Sequence, residues 1–100
     1  MKIHEQIDGN ELTVFLEGSL DESTSFVVES ELDKILSKGM EAVVLDMQEV
    51  KYISSIGIRV LMLAYKRSIK LGKKITVTNV SGKAREILET VGILTLFCGK

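Results

Sequence analysis

One hundred residues suit a single domain spanning 1–100, which buries roughly 65% of the surface its unfolded form exposes. Fourteen acidic against thirteen basic residues leave a net charge of −1, so no basic excess favours DNA or RNA and no acidic run marks a disordered tail. One cysteine and one histidine exclude an internal disulfide, a Cys-based zinc site and a histidine cluster.

Residues 3–7 read as a short strand with Ile3, Glu5 and Ile7 on one face, and Asp8-Gly9-Asn10 as a turn. Leu12, Val14 and Leu16 then alternate with Glu11, Thr13, Phe15 and Glu17, which predicts a hairpin ending at Gly18. Gly18-Ser19-Leu20-Asp21 is a break, and Asp21, Ser23 and Thr24 are N-cap candidates. A helix is predicted over 22–38, with Val28, Leu32, Ile35 and Leu36 inward and Gly39 as its stop. Residues 42–45 are a continuous apolar run, too short for a helix, and predict a central strand buried on both faces and parallel to a neighbour. Residues 46–53 read as a loop with apolar anchors.

After Ser54-Ser55, Ile58, Leu61, Met62, Tyr65 and Ile69 form the inward stripe of a second helix closed by Gly72. Val60 and Leu63 lie off that stripe, which implies cover on two sides. Residues 74–79 predict a strand. Ser81 caps a third helix with Ala84, Ile87, Leu88 and Val91 inward and Gly92 at its end, and residues 93–97 form a last strand or docking segment. The order β-β-α-β-α-β-α with right-handed crossovers predicts an α/β fold: a single-domain mixed-sheet sandwich of four to five strands with three or four helices.

No apolar run reaches the ~20 residues of a membrane helix, and the opening MKIHEQIDGNE lacks a signal-peptide core. A cytoplasmic protein without membrane insertion is expected. Enzyme motifs are missing: no Gly-x-Ser-x-Gly elbow with a histidine to spare, no phosphate loop, no dinucleotide fingerprint and no poised pair of acids. No catalytic residue, metal or cofactor is expected. His4 has no companion ligand and reads as a surface or strand residue, and Cys98 as an ordinary thiol. Met40, Met47 and Met62 read as gap-fillers or rim residues. Lys66, Arg67, Lys70, Lys73 and Lys74 form a solvated basic end that suits the C-terminus of the second helix.

The segment Tyr52-Ile53-Ser54-Ser55-Ile56-Gly57-Ile58-Arg59 carries the most information. A serine before a helix caps it by accepting a backbone N–H two or three residues on. The same place also tolerates a phosphoryl group, because free N–H groups and the helix dipole favour an anion there. Such a group adds nearly two negative charges and considerable bulk to a surface. Gly57 costs ~1 kcal/mol relative to Ala inside a helix. Either close packing or the approach of a partner or phosphate accounts for it.

Ile53-Ser54-Ser55-Ile56-Gly57-Ile58-Arg59-Val60-Leu61 resembles the signature of the STAS domain, named for sulfate transporters and anti-sigma-factor antagonists. Leu45-Asp46, Gly18-Ser19-Leu20-Asp21, Asn79-Val80-Ser81 and Ile87-Leu88 with Gly92 resemble the family's other landmarks, so the likeness runs over nearly the whole chain. It implies a STAS-like fold. For a stand-alone chain it implies an anti-sigma-factor antagonist, a bacterial phospho-switch that is no enzyme itself. Unphosphorylated, such a protein binds an anti-sigma factor that is also a serine kinase; phosphorylated, it is released, and a serine phosphatase resets it. The kinase supplies ATP and magnesium. The family's acceptor lies one or two positions before the glycine that aligns with Gly57. Ile56 cannot be phosphorylated, so the resemblance points to Ser55, with Ser54 second. Ser54 stands where many members carry Asp, and capping is its other role. Asp21, Ser54, Ser55, Ile56, Gly57 and Arg59 are the expected partner-binding residues. Asp21 is equally a cap for the first helix, and Arg59 pairs with a partner carboxylate or with a phosphate on Ser55 unless it is simply solvated. A monomer in isolation is expected. The alternative is a constitutive accessory subunit of a lipid-transport ATPase complex, in which the serines only cap and contact.

Overall fold

A computed structural model describes residues 1–80 and 82–92. Ser81, the segment 93–97 and Cys98 lie outside the described residues. The elements are β1 (Lys2–Asp8), β2 (Glu11–Leu20), α1 (Ser25–Leu36), β3 (Ala42–Ile53), α2 (Ser55–Lys70), β4 (Lys74–Thr78) and α3 (Gly82–Thr90). One sheet has the order β1-β2-β3-β4, with β1 antiparallel to β2 and the other neighbours parallel. This is the expected mixed sheet, with four strands and three helices among the described residues.

Alternation along the strands places the core. Leu12, Val43 and Ile75 stand in register across β2, β3 and β4, as do Val14, Leu45 and Val77, and all six are buried. They share one core with Val28, Leu32, Ile35 and Leu36 of α1, Val60, Leu61 and Ala64 of α2, and Ala84 and Leu88 of α3. The helices therefore lie on one face of the sheet. The opposite face carries Thr13, Val44 and Thr76 in register and meets no described helix; none of these three is buried. The run 42–45 is thus central and parallel, as expected, but covered on one face only. β-branched residues and an apolar run produce the same sequence pattern whether one face or both are covered.

Three other expectations shift. Residues 46–53 are not a loop: they continue β3, whose far end pairs Glu17 with Glu49, Gly18 with Val50 and Leu20 with Ile53. The β2–β3 register slips between Phe15 and Glu17 and again between Gly18 and Ser19. Such bulges break the two-residue period, so Met47, Val50 and Ile53 are buried three apart and hide the strand from a period-two reading. The buried face of α2 is Gly57, Val60, Leu61, Ala64 and Ser68, rotated from the expected stripe, and Ile69 is 60% exposed. Leu63 is exposed as well, so α2 is not covered on both sides. Small side chains let α2 sit close to the sheet. On α3, Ala84 and Leu88 are buried whereas Val91 is exposed. No described helix is long and apolar enough to cross a membrane.

Candidate functional site

Parallel β2, β3 and β4 each lead into a helix, so α1, α2 and α3 all begin at one pole of the molecule. Their positive dipole ends gather there. The pole is built around the carbonyl of Leu20, the last residue of β2. The Ser54 N–H donates to it at 2.9 Å. A Cβ on Gly57 would lie 2.5 Å from the same oxygen, 2.8 Å from Leu20 Cγ and 3.0 Å from Ile53 Cγ2. Gly57 is buried, so its missing side chain serves the seating of α2 on the ends of β2 and β3. Of the two roles weighed for this glycine, close packing holds; direct access for a partner or phosphate does not.

The two serines are placed differently. Ser54 is extended, and its hydroxyl oxygen accepts the Gly57 N–H at 3.2 Å while its carbonyl accepts the Ile58 N–H at 2.9 Å. It is the N-cap of α2 and is half-buried. Ser55, the first residue of α2, is exposed, and its hydroxyl has no partner among the described residues. One hydroxyl is spent on the fold, and its neighbour is unengaged among the described residues.

Asp21 follows Leu20 directly and stands at the same pole. It does not cap α1, which begins later than expected; it organises a turn before the helix. Its carboxylate accepts the Ser23 hydroxyl at 2.7 Å and the Ser23 N–H at 3.0 Å. The Thr24 hydroxyl accepts the Asp21 N–H at 3.0 Å and donates to the Ser19 carbonyl at 2.7 Å. Thr24 occupies the N-cap position of α1 but makes no side-chain cap bond, because that hydroxyl is turned back into the turn. The Ser23 hydroxyl holds the Asp21 carboxyl below its ordinary pKa; desolvation opposes it, and the Ser23 and Thr24 N–H groups add smaller lowering effects.

Beside the free serine, α1 and α2 leave a shallow groove of about 130 Å³ lined by Ser25 and Glu29 on one side and Ile56, Arg59, Val60 and Leu63 on the other. Ile56 is 38% exposed and Leu63 40% exposed. Phe26, on the adjoining turn of α1, is 78% exposed. Further along the helix pair an Asp33–Arg67 ion pair of 3.3 Å bridges α1 and α2. Arg59 has no ion pair or side-chain hydrogen bond among the described residues. The structure therefore brings Asp21, Ser54, Ser55, Ile56 and Arg59 to one pole, with Gly57 beneath them. Sequence reading did not single out Phe26 or Glu29 and took Leu63 as covered. The available signal was a Phe26-Val27 pair lying off the Val28, Leu32 and Ile35 stripe of an amphipathic helix. Among the described residues no group of His, Cys, Asp and Glu is arranged to hold a metal.

The family described as "Mlab, STAS domain" matches residues 3–97. BtrV of Bordetella bronchiseptica, provisionally named an anti-sigma factor antagonist, is 32% identical over 93 residues, which are 93% of this chain and 79% of that protein. This chain belongs to the STAS domain family. Solved structures agree at the level of fold. An anti-sigma factor antagonist from Mycobacterium paratuberculosis matches with a TM-score of 0.82 and 18% identity, over 96% of this chain and 81% of its own. SpoIIAA, an anti-sigma factor antagonist solved in its unphosphorylated form, matches with a TM-score of 0.80 and 12% identity, over 97% and 85%. Its phosphorylated form, from Bacillus, matches with a TM-score of 0.73, again at 12% identity, over 97% and 88%.

Proposed function

We propose that this chain is an anti-sigma-factor antagonist whose docking surface is switched by phosphorylation of Ser55. The division of labour between the serines carries the reading: the Ser54 hydroxyl caps α2, whereas the Ser55 hydroxyl is exposed and unengaged beside an open groove. The partner is an anti-sigma factor that is also a serine kinase. In the unphosphorylated state Ile56, Arg59 and the Asp21 turn meet the partner, and Gly57 contributes from below by setting the helix angle. The Ser55 oxygen then attacks the γ-phosphorus of the kinase's ATP. An O–P bond forms, the bond to the β-phosphate oxygen breaks, ADP leaves, and the hydroxyl proton passes to a kinase base. The new charge and bulk stand on the contact surface and expel the partner without touching the cap. A serine phosphatase hydrolyses the ester and restores binding. The chain is ligand and substrate, not catalyst.

A second reading has its own support. Ile56 puts an exposed apolar side chain directly before Gly57, which with Phe26 suits permanent docking, as in an accessory subunit of a lipid-transport ATPase. Phosphopeptide mass spectrometry on protein from its native cells separates the two. Trypsin isolates residues 52–59 with both serines. Phosphate on Ser55 is expected. Good coverage of an unmodified peptide across growth and stress conditions, with co-purification of an ATPase and permease, would give the second reading the field. In a capture assay Ser55→Asp should lose the kinase and Ser55→Ala should hold it under conditions that release the wild type.

A further inference from the structure

Arg59 stands one helical turn beyond Ser55 on the outward side of α2; both are exposed, and Arg59 lines the groove. Residues i and i+4 of a helix have Cβ atoms about 5–6 Å apart. Long helical side chains lean toward the N-terminus, which brings a guanidinium back over the residue four before it. An anion preceding a cation at this spacing is the favourable order. Among the described residues Arg59 is also uncommitted. Glu29 lines the same groove without pairing to it, whereas Arg67, two turns further along α2, is engaged by Asp33.

We infer that Arg59 is the intrahelical receptor of the phosphoryl group on Ser55, and that phosphorylation withdraws it from the α1–α2 groove. The inference rests on Ser55 being the acceptor. A guanidinium fork matches two phosphate oxygens, so the phosphorylated residue competes well for it. Among the residues lining the groove Arg59 is the cation and Glu29 the anion. Drawing Arg59 onto the phosphate leaves Glu29 uncompensated and turns a balanced groove negative. A partner carboxylate that had met Arg59 loses its counter-charge as the phosphate arrives. The modification thus acts at two points of the surface, the serine itself and the groove a turn away.

The test needs no kinase. Phosphoserine is installed at position 55 of the full chain during translation, and the phosphate is titrated by phosphorus NMR. The second phosphate pKa should lie about half a unit lower in this protein than in the same protein carrying Arg59→Gln. The difference should vanish in urea, and Arg59→Lys should fall between, because an ammonium is a point charge without the fork. Superimposable titrations of the parent phosphoprotein and its Arg59→Gln variant would overturn the inference. Because the phosphate is supplied during translation, this result is independent of whether cells phosphorylate Ser55. The peptide experiment above decides that question alone.

Discussion

At the scale of single residues, the adjacent serines make opposite predictions. Removing the Ser54 hydroxyl leaves the Gly57 N–H without its acceptor. Ser54→Ala should cost about 1 kcal/mol, which for a domain of this size lowers the melting temperature by about 4–8 °C. Ser55→Ala should stay within about 0.5 kcal/mol of the parent, as surface substitutions do. Equal losses in thermal melts of the two variants would undo the assignment of cap and free hydroxyl. Asp21 makes a pH prediction. Its carboxyl is held below the ordinary value in the folded chain by the Ser23 hydroxyl and the turn N–H groups. A depressed folded pKa adds stability above the unfolded carboxylate value of ~3.9, and that stability is lost as pH falls through the lower folded value. Asp21→Asn should therefore narrow the gap between urea midpoints measured at neutral pH and in acid. An unchanged gap would mean that the turn contributes nothing to acid sensitivity.

At the scale of elements, the seat of α2 on β2 is the contact that decides the site. Gly→Ala inside a helix normally gains ~1 kcal/mol. Here the added methyl meets the Leu20 carbonyl and side chain, and overpacking of this kind costs about 1–3 kcal/mol. Gly57→Ala should be net destabilising in urea titrations; a stabilised variant would remove the packing argument. The same contact explains what the sequence does and does not disclose. The Ser54-Ser55-Ile56-Gly57 order locates the start of α2 to within a residue or two, because capping chemistry is local. The far half of β3 reads as a loop, because its two register slips are properties of the pair and leave no periodic trace in either strand. The rotated face of α2 escapes the sequence for a related reason. Ala64 and Ser68 are buried by close approach to the sheet, not by their own hydrophobicity. The late start of α1 follows from Thr24, whose hydroxyl could have capped the helix but closes the preceding turn.

At the scale of the whole molecule, topology is legible in the sequence and layering is not. The strand and helix order, the mixed sheet and the parallel crossovers follow from hydrophobic spacing and turn residues. Whether the second sheet face is covered depends on what packs there, and an apolar run such as 42–45 is compatible with either arrangement. The arrangement gives the sheet two unequal faces, which substitutions in neighbouring positions of β3 can read. Leu45→Ala, on the helix-covered face, should cost about 2–5 kcal/mol. Val44→Thr, on the opposite face, should cost under about 1 kcal/mol. Comparable losses in urea titrations would mean that both faces are buried in solution. Phe26, Glu29 and Leu63 at the α1–α2 surface belong to this scale too. Glu29 and Leu63 lie on two helices and line a groove only once both have docked on the sheet, with exposed Phe26 on the adjoining turn.

The Leu20 carbonyl, shared between the Ser54 N–H and the space that Gly57 leaves open, separates two kinds of mutational history. In a saturation library sorted first for cellular abundance and then for partner capture, changes at 54 that remove the capping oxygen and changes at 57 should be depleted in the first sort. At 55, acidic substitutions should pass it and disappear only in the second, whereas Ser55→Ala should survive both. On the proposed docking surface a lineage can then exchange one partner for another by altering Ser55 and the groove, while the neighbouring cap keeps the protein folded throughout.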